Sequence, residues 1–572
     1  MNQPTPAIAT QAAVRRLPRL ALLLLCVAYV FPGFVGREPW KNADMAAFGY
    51  MAELARTNAT DLSTWLAPRL LGQPLEGDAL LPHWLGAWAI RWAPAWIAPD
   101  FAARLPFIGL LALTLMATWY GVYQLARSPG AQPVALAFGG EAQPRDYARA
   151  IADGGLLALL ACLGLAQLSH ETTPALAQLC FTALTFHALA CVPGRRFWPL
   201  VGTAAGLVGL TLSGAPTLAL LFGAGGATLN AMQTTPESHI STGYRRRGSL
   251  ALLAMTLLAA STATVLNLWQ WRVVLPGANW PEWHALGRLL LWFTWPAWPL
   301  VAWTLWHWRR QLAHLRAHRH LALPLWFAFV TTGATIITAA SSRTLLLALP
   351  ALATLAAFAL PTLKRRMAAL IDWFTLLFFS GGAIIIWVVW IAMQTGVPSQ
   401  PAANVARQAP GFTPVFSLTA LAIALSATLA WLWLIAWRAG RHRPVLWKSL
   451  VLPASGAVLC WVLLMTLWLP LLDFARSYAP LVRQVVGVIG QSGCVQIHGL
   501  SRAQVAAFQF HGRLELVDSS GTCSWLIANT DALSAPPALA MRPTWTHVLT
   551  IRRPTDNNEN IAVFKRVPED GN

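Results

Sequence analysis

Four charged residues follow the first apolar run of the chain, in the segment GREPWKNAD (36–44). Two are cations, Arg37 and Lys41, and two are acids, Glu38 and Asp44. A carboxylate at a membrane surface can take a proton from an incoming hydroxyl group or orient it. Cations beside it can bind a phosphate leaving group and stabilise the charge that develops on it. The segment therefore indicates group transfer from a lipid phosphate at the membrane–water boundary.

A second acid stands in a short connection between two apolar runs. The segment SHETTPALAQL (169–179) carries His170 and Glu171, and Pro174 opens the next run. The motif is not that of a zinc protease, because the second histidine of that motif would stand where Pro174 is. Glu171 is the second candidate catalytic residue. The alternative is a solvated loop tip at which Thr172 or Thr173 caps the following helix.

Both groups of charges in the first segment have a structural alternative. The residues after Asp44, MAAFGYMAELAR (45–56), have a helical apolar stripe, and aspartate is a good N-cap for a helix that begins there. Arg37 and Lys41 could instead anchor the chain to the phosphates of lipid head groups.

The composition decides the broad class of protein. The chain has 572 residues, of which 56% are hydrophobic and only 11% charged, and its mean hydropathy is +0.51. A soluble domain has about 25% charged residues. The sequence therefore predicts an all-α polytopic membrane protein. Because no small-residue cleavage site follows the first apolar run, we interpret that run as an uncleaved helix rather than a signal peptide.

Apolar runs of about 17–25 residues can cross the roughly 30 Å hydrocarbon core of a bilayer. About thirteen such spans are predicted, at 18–35, 103–126, 152–169, 174–192, 197–213, 215–232, 249–267, 288–306, 321–340, 344–361, 370–392, 414–437 and 449–470. The Trp-rich run 79–98 could be a fourteenth span. We favour a helix that lies in the interface, within a first outer loop at 36–100.

The distribution of basic residues supports this arrangement. With thirteen spans and a cytoplasmic N-terminus, 22 of the 41 Lys and Arg residues fall in cytoplasmic loops. This is the positive-inside pattern, and a fourteenth span at 79–98 would reverse it for every later loop. The net charge of +19 is thus mostly a topology signal. We expect contact with membrane lipids in a bacterial inner membrane and no nucleic-acid partner.

The sequence changes character after the last span. Residues 1–470 form the predicted transmembrane domain, and the polar tail 471–572 has alternating segments such as THVLTIRR (546–553). This pattern predicts a small α/β domain, which the odd number of spans puts in the periplasm. In that oxidising compartment Cys494 and Cys523 would form a disulfide, with two free thiols as the alternative.

The distribution of acids separates the functional classes. Ionisable residues are almost absent from the middle of the predicted spans, whereas ion-coupled transporters need them there. A transporter or flippase for lipid-linked sugars is therefore the weaker alternative. An O-antigen ligase or polymerase is a second alternative, although the late outer loop 393–413 is short for that class. A scaffold would leave the clustered outer acids unexplained.

Several short motifs together resemble the bacterial GT-C membrane glycosyltransferases. The layout is most similar to the lipid A aminoarabinose transferases and the related protein-mannosyltransferase-like enzymes. The matching motifs are REPWKNAD in the first loop, LPHWLGA (81–87), AARLP (102–106), Glu171 in its outer turn, and SSRTLLLALPALATLAA (341–357). Thirteen spans followed by a periplasmic domain also match this layout.

The resemblance implies an inverting transfer of a sugar from a polyprenyl-phosphate donor on the periplasmic face. By position, Asp44 and Glu171 match the two catalytic carboxylates, and Arg37, Lys41 and Arg343 match cations that face the donor phosphate. The acceptor it implies is lipid A, another envelope glycan or a protein. The sequence departs from the family at Met45, where an acid is usual, and in EGDALLPHWL (76–85), which lacks the family's lysine.

A cofactor remains open at this point. A divalent metal held by Glu76 or Asp78 with His83 or His284 is one hypothesis. An isolated histidine at an interface is more often packed or hydrogen-bonded than bound to a metal.

Overall fold

The computed structural model describes most of the chain. The described residues are 5–58, 61–75, 77–136, 139–192, 197–233, 242–270, 272–277, 279–339, 341–439, 445–490, 494–518, 523–533 and 545–567.

Helices make up most of the described chain. Those up to residue 337 are α1 (Arg19–Val30), α2 (Ala43–Arg56), α3 (Leu62–Leu66), α4 (Leu80–Trp92), α5 (Pro99–Ala126), α6 (Pro144–Ala161), α7 (Leu165–Leu168), α8 (Pro174–Cys191), α9 (Trp198–Leu212), α10 (Pro216–Met232), α11 (Thr242–Val265), α12 (Trp280–Phe293), α13 (Ala297–His307), α14 (Arg309–Leu312) and α15 (Arg319–Ile337). Those after it are α16 (Ser342–Leu346), α17 (Leu349–Ala357), α18 (Arg365–Thr395), α19 (Ser399–Gln408), α20 (Leu418–Ala439), α21 (Lys448–Leu467), α22 (Leu469–Arg476), α23 (Ala479–Ile489), α24 (Arg502–His511) and α25 (Thr530–Leu533).

Prolines set several helix starts. Pro99, Pro144, Pro174 and Pro216 are each the first residue of a helix. Proline suits this position because its fixed φ is helical and the missing N–H has no intrahelical partner there.

The polytopic all-α prediction is confirmed. Within the described residues, eight helical segments are long and apolar enough to cross a membrane. The other predicted spans correspond to shorter or interrupted helices. For example, 288–306 is divided between α12 and α13, where Pro296 removes a backbone donor. Thirteen therefore stays a prediction of the number of spans.

The run 79–98 forms only a short helix. Its helix, α4, has 13 residues, which is about 20 Å at 1.5 Å per residue. That length falls short of the roughly 30 Å hydrocarbon core. α4 packs against α2 and α5. This agrees with our preference for an interfacial helix over a fourteenth span.

The predicted α/β fold of the tail is confirmed. Its strands are β3 (Cys494–His498), β4 (Glu515–Val517), β5 (Trp525–Asn529), β6 (Trp545–Arg553) and β7 (Asp556–Arg566), after a small β1–β2 pair at Arg69–Leu70 and Gln73–Pro74. The five strands form one sheet in the order β4-β3-β5-β7-β6. β3 runs parallel to β4 and β5, and β7 is antiparallel to β5 and β6. A disulfide joins Cys494 and Cys523.

Helix α24 connects the tail to the rest of the molecule by packing against α2. It begins with a capping box, in which the Ser501 hydroxyl accepts from the Gln504 N–H and the Gln504 side chain accepts from the Ser501 N–H. Phe510 of α24 meets Phe48 of α2 edge to face, with ring centroids 4.7 Å apart. Gly49 allows the close approach, because a Cβ there would lie 2.4 Å from the Cβ of Ala506.

We expect Gly49→Ala to destabilise the protein. Alanine favours a helix over glycine by up to about 1 kcal/mol, but the added methyl group would force α2 and α24 apart, and overpacking of this kind costs about 1–3 kcal/mol. Thermal unfolding of the detergent-solubilised protein should show a lower midpoint. Gly487→Ala is the matched control, because a Cβ at that helical glycine meets nothing within 4 Å. If both variants unfolded at the wild-type midpoint or above it, the close packing of α2 against α24 would be contradicted.

Candidate active site

Asp44 lies at the start of α2, in the loop that follows α1. The helix begins at Ala43 with Asn42 as its N-cap, so the alternative prediction that Asp44 is the N-cap is wrong. Asn42 has a positive φ of 66°, which is uncommon for a residue other than glycine. Asp44 is in the first helical turn, where the helix dipole favours a negative charge.

Four hydrogen bonds hold the Asp44 carboxylate. Oδ2 accepts from Arg37 Nη2 at 2.8 Å and from the Trp40 N–H at 3.0 Å. Oδ1 accepts from the Thr172 N–H at 2.8 Å and from its hydroxyl group at 2.6 Å. Burial acts to raise the pKa of Asp44, but the Arg37 charge and the Thr172 hydrogen bond outweigh it, and the pKa is lowered. Asp44 is therefore a buried carboxylate that stays ionised.

Arg37 is the counter-ion of Asp44. The residue is 2% exposed, and Nη2 also donates to the His170 carbonyl oxygen at 3.0 Å. Its guanidinium group lies over the Trp40 ring, 4.5 Å from the centroid. Nε and Nη1 have no hydrogen-bond partner within the described residues. A lipid anchor would lie at the surface, so burial rules out that alternative for Arg37.

Glu171 is next in sequence to Thr172, which donates two hydrogen bonds to Asp44. The Glu171 carboxylate is 6% exposed and accepts from Arg343 Nη2 at 3.0 Å and from Gln167 Nε2 at 3.3 Å. Burial and the negative charge of Asp44 raise its pKa, and the Arg343 charge offsets only part of this. The alternative prediction, that Glu171 lies in a solvated loop tip, is thus wrong. The Thr172 hydroxyl group donates a hydrogen bond to Asp44. Thr173 is at the N-cap position of α8, but its side chain makes no capping hydrogen bond.

His170 fixes the turn that carries Glu171 and Thr172. Its ring is buried, with Nε2 3.0 Å from the Tyr29 carbonyl oxygen and the centroid 4.6 Å from that of Trp461. Gly33 leaves room for it, because a Cβ there would lie 2.2 Å from the His170 ring. Burial lowers the pKa of His170 to about 4, so the ring is neutral at pH 7.

The three predicted phosphate ligands differ in their surroundings. Arg37 is buried on Asp44, and Lys41 Nζ forms an ion pair with Asp556 Oδ2 at 2.7 Å. The Arg343 side chain is 43% exposed beside Glu171. Of these three cations, Arg343 is the most open to an approaching ligand.

The metal hypothesis finds no support within the described part of the chain. No group of three or more His, Cys, Asp or Glu side chains there is arranged to hold a metal ion. His83 is buried with Nδ1 against the Ala79 carbonyl oxygen, and burial lowers its pKa to about 4. His284 lies on α12, and Glu76 is outside the described residues.

Sequence reasoning missed Asp473, which lies in α22 beside the first loop. Oδ1 accepts from Trp40 Nε1 at 2.8 Å and Oδ2 from the Glu38 N–H at 3.4 Å. Burial raises the pKa of Asp473 to about 7. A signal was available, because Asp473 is the first acid after the last predicted span, on the same predicted face as Asp44.

An apolar groove of about 440 Å³ lies between α12 and the residues that precede α7. Helix α16, which carries Arg343, packs against both α12 and α7. One cation, Arg288, is among the lining residues, which are Leu163, Gly164, Ala285, Arg288, Leu289, Trp292 and Phe293.

This arrangement of apolar helices, first-loop helices and a C-terminal α/β region is the fold of a multi-pass membrane protein. The chain is similar in structure to ArnT from Cupriavidus metallidurans, a lipid A aminoarabinose transferase. With ArnT bound to undecaprenyl phosphate the TM-score is 0.57 at 13% identity, over 96% of this chain and 97% of that one. With apo ArnT it is 0.55 at 14% identity, over 96% and 98%. No protein-family profile and no curated protein sequence matches the chain.

We expect removal of the Arg37 charge alone to be costly. Arg37→Met leaves Asp44 as a buried carboxylate without its counter-ion, and breaking a buried pair typically costs about 3–5 kcal/mol. The double variant Arg37→Met/Asp44→Leu removes both charges and should recover much of this loss. Thermal unfolding midpoints measure both effects.

The matched control for this pair is Arg56→Ala. Arg56 lies 3.9 Å from Glu53 on the surface of α2, and an exposed pair of this kind contributes about 0–1 kcal/mol. If Arg37→Met lowered the midpoint no more than Arg56→Ala does, Arg37 and Asp44 would not be a buried ion pair.

Proposed function

We propose that the protein is a glycosyltransferase that transfers a sugar from a polyprenyl-phosphate donor to an envelope acceptor. The observation that carries the proposal is the joining of two distant segments at one carboxylate, where Thr172 donates twice to Asp44 and Glu171 stands next to Thr172. The GT-C fold supports it, because the ArnT structure with this fold was solved with undecaprenyl phosphate bound.

The reaction is a displacement at the anomeric carbon of the sugar. An oxygen of the acceptor forms a bond to that carbon, and the bond from the carbon to the donor phosphate oxygen breaks. The polyprenyl phosphate leaves with the electron pair, and configuration inverts. An acceptor hydroxyl group must also give up its proton, whereas an ionised acceptor phosphate has none to lose. The acceptor, whether lipid A, another glycan or a protein, decides whether a base is needed.

Asp44 acts in this mechanism as an electrostatic and orienting group. Each of its oxygens already accepts two hydrogen bonds, and its pKa is lowered, so it is a poor proton acceptor at neutral pH. A fixed negative charge is suited to stabilise positive charge that develops on the sugar ring in the transition state.

Glu171 is the better candidate for the base. Its raised pKa brings the carboxylate nearer to neutral pH, where proton transfer from a hydroxyl group is more favourable. Arg343, which is partly exposed and bonded to Glu171, is the cation we assign to the donor phosphate. Arg37 acts one step away, by holding the charge and position of Asp44.

The apolar groove between α12 and the residues before α7 is a surface on which we place the lipid chain of the donor. Its walls are hydrocarbon and aromatic, as binding of a polyprenyl tail requires. Arg288 provides a cation within this groove. A divalent metal is not assigned a role here.

The orientation follows from the positive-inside distribution. We propose that the protein lies in a bacterial inner membrane with a cytoplasmic N-terminus. Residues 1–470 are the transmembrane transferase domain and 471–572 the periplasmic domain, so that transfer occurs on the periplasmic side. The end of the last long apolar helix at Leu467 and the disulfide between Cys494 and Cys523 agree with this division.

We expect Asp44→Asn to lower kcat by about 10²-fold or more, since loss of a fixed electrostatic group in an active site typically costs about 10²–10³-fold. Transfer from a synthetic undecaprenyl-phosphate sugar in proteoliposomes measures the rate. Mass spectrometry of lipid A and envelope glycans, from cells with and without the protein, identifies the acceptor.

Asp61→Asn is the control for this experiment, because Asp61 is an exposed N-cap in the same loop. It should leave the rate unchanged. Full sugar transfer by a normally inserted Asp44→Asn variant would remove Asp44 from the reaction.

The pH dependence distinguishes the two kinds of acceptor. With a hydroxyl acceptor, the rate should fall as pH decreases through the raised pKa of Glu171, because the protonated acid cannot take a proton. Glu171→Gln should be slow and should lack this acidic limb. With a phosphate acceptor, we expect no such fall in rate at low pH. A hydroxyl acceptor with the same limb in wild type and Glu171→Gln would show that Glu171 is not the base.

A further inference from the structure

The C-terminal region makes two contacts through acidic side chains with the segment before Asp44. At the first, Asp473 of α22 accepts from the side chain of Trp40 and from the backbone of Glu38. At the second, Asp556, the first residue of β7, pairs with Lys41. These residues are more than 400 positions apart in sequence, so the contacts are made by folding and not by chain connectivity.

Trp40 connects the first of these contacts to Asp44. Its indole N–H donates to Asp473 Oδ1 at 2.8 Å, and its backbone N–H donates to Asp44 Oδ2 at 3.0 Å. Two guanidinium groups also lie over the indole ring, those of Arg37 at 4.5 Å and Arg476 at 5.0 Å from its centroid. A shift of this ring would therefore move a hydrogen bond to Asp44 and the cation that neutralises it.

The β6–β7 turn holds the end of α22 in place. Arg553 Nη2 and the Thr555 hydroxyl group both donate to the Ala475 carbonyl oxygen, at 2.8 and 2.9 Å. The next carbonyl oxygen, that of Arg476, accepts from the Lys41 N–H at 2.7 Å. The sheet of the C-terminal region thus fixes the helix end that in turn fixes the first loop.

We propose that Asp473 is a positioning residue of the transferase, which acts on Asp44 through Trp40. The proposal rests on the function proposed above. In this view the C-terminal region completes the active site instead of being an appended module, and the Lys41–Asp556 pair is a second attachment of the same loop. Asp473 itself touches neither the donor nor the acceptor.

A packing role alone does not account for Asp473. A partly buried carboxyl group whose hydrogen bonds come from an indole and a backbone N–H is costly compared with an apolar residue of similar size. Its burial also shifts its pKa upward, which shows the cost of placing the charge there. The unfavourable burial of the Asp473 carboxyl group is explained by its role in holding Trp40 in place.

The test compares Asp473→Ala, Trp40→Phe and their double variant in the proteoliposome assay. Because displacement of a catalytic group by about 1 Å can cost 10²-fold, we expect each single variant to lower kcat by about 10- to 100-fold. KM for the donor should be unchanged. The double variant should be no slower than either single one, since both break the same connection. Asp473→Asn should recover most of the rate, because an amide oxygen still accepts from the indole.

Glu515→Ala is the matched control. Glu515 is an exposed acid on β4, at the opposite edge of the sheet from β6. It should leave kcat unchanged. Additive losses in the double variant, or a loss confined to KM, would overturn the positioning role.

Hydrogen exchange separates this inference from the proposed function. Amides 38–44 should exchange faster in Asp473→Ala and in Trp40→Phe than in wild type and Glu515→Ala. Unchanged hydrogen exchange in the two variants overturns the proposal, whatever their rates of sugar transfer. Faster hydrogen exchange together with a wild-type rate of sugar transfer overturns it as well. If the wild type transfers no sugar from the undecaprenyl-phosphate donor, the proposed function fails, and the exchange of 38–44 alone decides whether Asp473 holds the loop.

Discussion

The burial of the Asp44 carboxylate is the constraint on which the rest of the site depends. A charge in this environment is tolerated only if donors surround it, and here there are four, from Arg37, Trp40 and Thr172. Arg37 and Trp40 come from the loop that carries Asp44, whereas Thr172 comes from the turn between α7 and α8. To satisfy one carboxylate, the fold must bring that turn against the first loop. Glu171 and its partner Arg343 are brought to the site by the same contact.

The two carboxylates have opposite electrostatic environments. Asp44 has a full set of donors and a cation at 2.8 Å, and its pKa is lowered. Glu171 is buried near the negative charge of Asp44 and has one partly exposed cation, and its pKa is raised. Pairs of acids whose pKa values are pushed apart are a common basis for a division of roles in catalysis. The division follows from the surroundings of each acid: at Asp44 the Arg37 charge and the hydrogen bonds outweigh burial, whereas at Glu171 burial and the Asp44 charge dominate.

Much of the fold and part of the site were predictable from the sequence. The helical membrane architecture follows from apolar runs, and the α/β tail from the change in pattern after residue 470. Asp44 and Glu171 stood out because acids are scarce near apolar runs. The partners of individual side chains were not predictable: Arg37 was expected to face a phosphate, yet its nearest anion is Asp44. Asp473 was missed because it looked like the start of a polar tail, and only the folded chain places it against Trp40.

The contact between α22 and the first loop has a consequence for how the protein is made. Synthesis proceeds from the N-terminus, so Asp44 leaves the ribosome long before Thr172 and about 430 residues before Asp473. Until α22 and the C-terminal sheet have folded, the N-terminal loop lacks the neighbours that order it. An incomplete chain in the membrane would thus hold the reactive residues without their final arrangement. The arrangement around Asp44 is thus complete only when α22 and the β6–β7 hairpin have folded against the first loop.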